Sequence, residues 1–171
     1  MAKKLKKEGY GQLELNQVAF RRSGRIEAQC KIADGIAYIE NGMLLAVNNM
    51  NRTVDYVKSN NIYPIALHYS SEHMYDERAN ALKNFCLEKD SFLPRMGYLG
   101  AGDKYTTNTV AYDGYDNDEA FLAAVGTTAL YAHAGEDGYH LVNADADGAI
   151  AMAIAATTMP DGQPAVKFQA L

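Results

Sequence analysis

Four histidines, two cysteines and 21 acidic residues are the side chains here that can ligate metals, move protons or attack carbonyls. Their spacing argues against most of that chemistry. His68, Glu72 and His73 lie close together. They do not form HExxH, the spacing that puts two histidines on one helix face to hold zinc, and no third ligand stands out. Asp145, Asp147 and Gly148 resemble part of a calcium loop, but the run that follows, AIAMAIAATT, lacks the closing glutamate. Residues 97–104 (GYLGAGDK) contain three glycines. They match neither GxGxxG leading into a helix nor GxxxxGK[ST], so no phosphate cradle is expected. Cys86 has no CxxC neighbour, and GxSxG is absent. The expectation is a protein with no catalytic residue, no metal and no cofactor.

Binding chemistry is better represented. Lys3, Lys4, Lys6 and Lys7 form a basic tail, and Arg21, Arg22 and Arg25 follow it. Residues 1–31 hold eight Lys/Arg against three Asp/Glu, whereas residues 113–171 hold one lysine against nine acidic residues. A basic head and an acidic end predict either contact with a neighbour in an assembly or a basic end seated on an acidic surface. The cations suit phosphates, but the acidic remainder argues against a nucleic-acid-binding domain. Twelve tyrosines without a tryptophan fit strands and protein interfaces as well as stacking on sugars or bases.

The element expected to present these cations is a β-hairpin over residues 12–33. Ile26, Ala28, Cys30 and Ile32 alternate with Glu27, Gln29 and Lys31, the period of a strand with one buried face. Leu13 and Leu15 alternate with Glu14 and Asn16, and the pattern shifts near Gln17, where a bulge or register change is expected. Ser23-Gly24 supplies a turn between the arms. The tip then carries Arg21, Arg22 and Arg25, with Leu15, Val18 and Phe20 as apolar anchors for a partner.

The rest of the chain reads as short strands separated by turns. IAYIE, Asn41-Gly42, MLLAV and RTVDYVK follow one another, and Asn-Gly is a strong hairpin signal. The strand after Pro64 lies at an edge or begins past the proline. Residues 104–113 (KYTTNTVAYD), YHLVNA and AVKFQAL are strand-like. In residues 149–159 the alternation of Ile150, Met152 and Ile154 fits a strand, while the alanines fit a helix. Glu72–Lys83 fits a helix or an ordered loop, and a helix is expected from a capping Asp118 to about Ala124. The predicted fold is mostly β, a small barrel or sandwich with an N-terminal arm or hairpin and one or two short helices. Residues 1–33 are the basic arm and attachment element. Residues 34–171 are the β-rich body, acidic and rich in glycine and alanine at 113–148. With 171 residues and 48% apolar content the chain has enough material for a real core. No apolar run reaches the ~18–20 residues of a membrane span, no secretory apolar segment follows the lysines, and two cysteines make no disulfide framework. Synthesis in a reducing cytosol is expected.

Three stretches carry a resemblance that spans most of the chain: GQLELNQVAFRRSGRIEAQCKI; HMYDERANALKNFCLEKDSFLPRMGYL with GDKYTTNTVAYD; and TTMPDGQPAVKFQ. They resemble small structural proteins encoded beside the major capsid protein in tailed bacteriophages. The resemblance implies a non-enzymatic virion protein, such as a capsid decoration (cement) protein that binds and reinforces the shell. It implies major capsid protein subunits as partners and a homo-oligomer or many copies per particle; the lack of an apolar span and the acidic remainder argue against membrane and nucleic-acid partners. Location in the virion, after synthesis in the bacterial host cytoplasm, follows from the same likeness. A head-fibre base, a tail or connector component and the shell subunit itself are alternative virion roles. A small phage enzyme and a nucleic-acid-binding protein are the rivals outside them.

Overall fold

Residues 104–112 explain the architecture of the computed structural model, which describes residues 2–70 and 81–171. The stretch is rich in threonine, tyrosine and valine, as strands are. It forms two strands, Lys104–Thr107 and Val110–Tyr112, separated by Asn108 and Thr109. Both belong to one eight-stranded sheet. Its order is Lys3–Lys4, Val110–Tyr112, His140–Asn143, Tyr131–Ala134, Ala151–Thr158, Pro164–Ala170, Lys104–Thr107 and Leu13–Gln17. In a flat sheet the two halves of 104–112 would sit about 24 Å apart, five strand spacings. Two linking residues reach only about 11 Å. The sheet therefore rolls up so that its two ends approach each other at this link, without closing into a barrel.

A six-stranded sheet packs with the roll. Its order is Ile26–Glu27, Met96–Gly97, Ile65–His68, Leu44–Asn48, Thr53–Asp55 and Lys31–Ile32. Tyr38–Glu40 and Cys86–Glu88 make a separate antiparallel pair. The mostly β, sandwich-like expectation holds. Strand alternation builds two cores at once. Val110 and Tyr112 join the cluster that contains Tyr105, Phe121 and Phe168, while Ala111 between them joins the cluster of Ile39, Leu45, Val54 and Met96. Leu44 and Leu45 divide in the same way, as do Leu67 and Ala66. These strands are buried on both faces, which is why MLLAV has no polar alternation.

The hairpin expected over 12–33 does not form. Leu13–Gln17 pairs with Lys104–Thr107 in the rolled sheet, with an irregularity of register between Lys104 and Thr106 that matches the one expected near Gln17. Ile26–Glu27 pairs instead with Met96–Gly97, and Lys31–Ile32 runs parallel to Thr53–Asp55. The segment crosses from one sheet to the other through a short helix, Phe20–Ser23, closed by Gly24 in the left-handed region at φ 71°. The alternation of Ile26, Ala28, Cys30 and Ile32 specified a face and left the partner open. Even the face is partial: Ile26 and Ala28 are exposed, whereas Cys30 and Ile32 are buried. Leu5, Leu13 and Phe20 all lie in the principal core, so the first 33 residues share their interior with the body.

Other expectations resolve locally. Ile65–His68 begins after Pro64, the second of the two options for that proline. Ala151–Thr158 is a strand, not a helix, because Ala151 and Ala153 face the rolled sheet's interior. The helix Asp118–Ala124 forms, but Asn117 caps it by accepting from the Ala120 amide; Asp118 is its first helical residue. Phe121 on that helix stacks on Tyr112 with ring centroids 4.3 Å apart. The helix or ordered loop expected over Glu72–Lys83 lies largely in 71–80, outside the described residues; Leu82–Asn84 is a turn of 3₁₀ helix. Among the described residues no helix is long and apolar enough to cross a membrane.

Candidate partner-binding surface

The basic tail is bound to the chain's own acidic segment. Lys3–Lys4 pairs as an edge strand with Val110–Tyr112. Lys3 Nζ donates to the carbonyls of Tyr115 (3.1 Å) and Asp116 (2.5 Å). Lys4 pairs with Asp137 at 2.9 Å and lies 3.9 Å from the centre of the Tyr139 ring, a cation–π contact. Lys7 pairs with Asp118. Burial alone would raise the Asp118 carboxyl, but the bonds from Lys7 and Tyr112 outweigh it and hold it below the usual carboxylate range. The opposite charge blocks of the sequence thus meet within one molecule.

Lys6 goes further inward. Its side chain is 13% exposed, and the ammonium meets the carboxylate of Glu40, whose side chain is 4% exposed, at 2.5 Å. Glu40 Oε2 also accepts from the Gly11 amide at 2.5 Å and from the Tyr139 hydroxyl at 3.3 Å. A buried pair of this kind holds together only when further hydrogen bonds satisfy its remaining atoms, as they do here. Burial, and then Glu40, push the Tyr139 phenol up.

The arginine turn differs. Phe20, expected as an anchor for a partner, is completely buried. Its ring lies 5.0 Å from that of Tyr69, and a Cβ on Gly97 would come within 2.5 Å of it, so glycine is required there. Phe20 is therefore an interior residue. Leu15 and Val18 are half-buried against the same core. Arg25 reaches toward Asp103, with Nη2 3.9 Å from the carboxylate, and Asp103 also accepts from the amides of Ala19 and Gly100 at 2.9 Å each. Arg21 and Arg22 remain exposed on the helix. Beside them a shallow depression of about 530 Å³ is lined by Gln17, Val18, Ala19, Arg22 and Gly102.

The histidines brace the interior. His68 and His140 are both buried and share one arrangement. A carbonyl can only accept, so His68 Nδ1–H donates to the Glu40 carbonyl (2.7 Å) and Nε2 accepts from the Ser70 hydroxyl (2.6 Å). His140 Nδ1–H donates to the Thr109 carbonyl (3.1 Å) and Nε2 accepts from the Tyr105 hydroxyl (2.9 Å). Burial pushes each imidazole down to about 4, outweighing the carbonyl bond. His73 and Glu72 lie outside the described residues. His133 lies near the surface, and its Nε2–H donates to the Asp145 carbonyl at 2.9 Å. Burial raises the thiols of Cys30 and Cys86. Among the described residues no group of three or more His, Cys, Asp or Glu is placed to hold a metal. Sequence reasoning missed Glu40 and Tyr139; the available signal was one glutamate ending the otherwise apolar run IAYIE. No family model, curated protein or solved structure matches the chain.

Proposed function

We propose that this chain is a non-catalytic virion structural protein that binds the capsid shell of a tailed bacteriophage and reinforces it as a decoration protein. The observation that carries the reading is how its reactive side chains are used. Lys6, Glu40, His68, Tyr139 and His140 are tied to one another or to the backbone inside paired sheets. Groups held this way stiffen a body, and a stiff body suits a load-bearing role. The partners are major capsid protein subunits, in many copies per particle. The contact includes the exposed Arg21 and Arg22, which suit carboxylates on the shell. An exposed ion pair contributes only ~0.2–1 kcal/mol, so retention depends on repetition or on apolar contacts as well. Phe92 and Leu93, 80% and 52% exposed, are available for the latter. The test adds purified protein to shells that lack it. The expected result is saturable binding in many copies and a higher temperature of shell rupture. Shells that neither bind the protein nor gain stability from it would overturn the reading.

A further inference from the structure

Asn41-Gly42 is the one Asn-Gly pair in the chain, a strong hairpin signal, yet no hairpin surrounds it. The strand before it, Tyr38–Glu40, pairs with Cys86–Glu88; the strand after it, Leu44–Asn48, pairs with Thr53–Asp55 and Ile65–His68. The pair lies instead against the seam where the two ends of the rolled sheet approach each other. Gly42 has φ 83°, and a Cβ there would come within 2.2 Å of the Thr107 hydroxyl oxygen and 2.9 Å of the Thr109 one. Conformation and space both demand glycine. Asn41 is fully buried, and its carbonyl accepts from the Thr109 hydroxyl at 2.7 Å. A Cβ on Gly11 would come within 2.6 Å of the same carbonyl oxygen, so the backbone behind the lysine tail packs directly on the turn. The Gly42 amide, in turn, donates to the His68 carbonyl at 2.9 Å.

That amide nitrogen is the nucleophile of a reaction every Asn-Gly pair can undergo. It attacks the asparagine side-chain carbonyl carbon, the bond to the side-chain nitrogen breaks, and ammonia leaves carrying the amide proton. Water then opens the cyclic imide at one of its two carbonyls, leaving aspartate or isoaspartate. Glycine has no side chain to hinder the approach. In the closed fold the attack is blocked. The Gly42 amide is engaged by His68, and Gly11 and Thr109 press on Asn41, so ring closure requires those segments to part. The product also resists reclosure. A carboxylate at 41 adds a second negative charge beside Glu40, whose side chain is 4% exposed and already matched by Lys6. Isoaspartate lengthens the main chain between Glu40 and Leu44 by one atom, out of step with both flanking strands.

We infer that Asn41-Gly42 is a deamidation site gated by the seam: it is silent while the roll is closed, and opening exposes it to an irreversible change that keeps the roll from closing again. The fold cannot dispense with the reactive half of the pair, because only glycine fits at 42. The lifetime of the folded body is then set by how often the seam opens, not by the exposure of surface asparagines. None of this depends on shell binding.

Peptide mapping of wild-type protein held at mildly alkaline pH, in buffer and in urea, tests this by the mass gained when an amide becomes an acid. In urea the gain is expected first at Asn41. In buffer the same residue is expected to change at least roughly a hundredfold more slowly. Asn41→Gln, read in urea where folding plays no part, removes the fast gain because the larger ring closes more slowly. Asn41→Asp, which supplies one product directly, is expected to lower the denaturant midpoint or to leave no folded state. Equal rates at Asn41 in buffer and urea, a first gain at another asparagine, a fast gain that survives Asn41→Gln, or Asn41→Asp as stable as the wild type would overturn the inference.

Discussion

The two cationic regions, the tail at residues 3–7 and the turn at 21–25, look alike in sequence and differ in structure. The lysines of the tail have partners in their own chain: Asp116 and Tyr115 for Lys3, Asp137 for Lys4, Glu40 for Lys6, Asp118 for Lys7. The turn stays at the surface with Arg21 and Arg22 exposed, while Phe20 beneath them anchors it to the core. The tail is a clasp, and the turn is a presented patch. Charge density alone does not distinguish the two; depth of packing does, since Lys6 is enclosed against Glu40 while Arg21 and Arg22 stay at the surface.

The comparison predicts where substitutions hurt. Phe20→Ala, under the patch, removes a fully buried ring and is expected to cost about 3–5 kcal/mol, read as a drop in the denaturant midpoint. Unchanged stability would mean that the turn is not seated on the core. Glu40→Ala, in the clasp, leaves the Lys6 ammonium enclosed without its counter-charge and is expected to cost a similar 3–5 kcal/mol. Replacing Lys6 and Glu40 together by apolar residues should recover much of that loss. A double variant as unstable as the sum of both single changes would show that the pair is not coupled.

Acid acts on the interior between them. His68 and His140 are depressed to about 4 in the folded state, below the ordinary 6.5. The unfolded chain therefore binds more protons as pH falls. The histidine contribution is fully present above about 6.5 and is lost as pH drops toward 4, on the order of 3 kcal/mol for each residue. Thermal melts across that window should show a falling transition temperature, and His140→Gln should flatten the slope. A melting temperature indifferent to pH from 7 to 4 would contradict the buried neutral histidines. The smallest effect is expected at the patch itself: Arg21→Glu with Arg22→Glu should change stability by no more than about 0.5 kcal/mol for each substitution.

Part of this arrangement was legible in the sequence. Threonine, tyrosine and valine content located 104–112, which is buried on both faces, and the alternation of Val166 and Phe168 located Pro164–Ala170, because a half-buried strand leaves a period-two record. The same record misled at 26–32, where it does not say which strand lies alongside. The break of 104–112 at Asn108 and Thr109, on which the roll depends, leaves no pattern, since both residues are tolerated in strands and turns. The charge blocks at the two ends were visible, and seating of the basic end on an acidic surface was one of two expectations. That the surface belongs to the same chain is decided by the strand pairing of Lys3–Lys4, too short a segment to carry a periodic signal.

Shell retention of two variants, compared side by side, tests the account most directly. One carries Lys3→Ala, Lys4→Ala and Lys7→Ala; the other carries Arg21→Glu and Arg22→Glu. The account predicts that the lysine variant is less stable yet binds shells like the wild type, while the arginine variant is as stable as the wild type and is lost from shells. Loss of the lysine variant from shells with full retention of the arginine variant would contradict it.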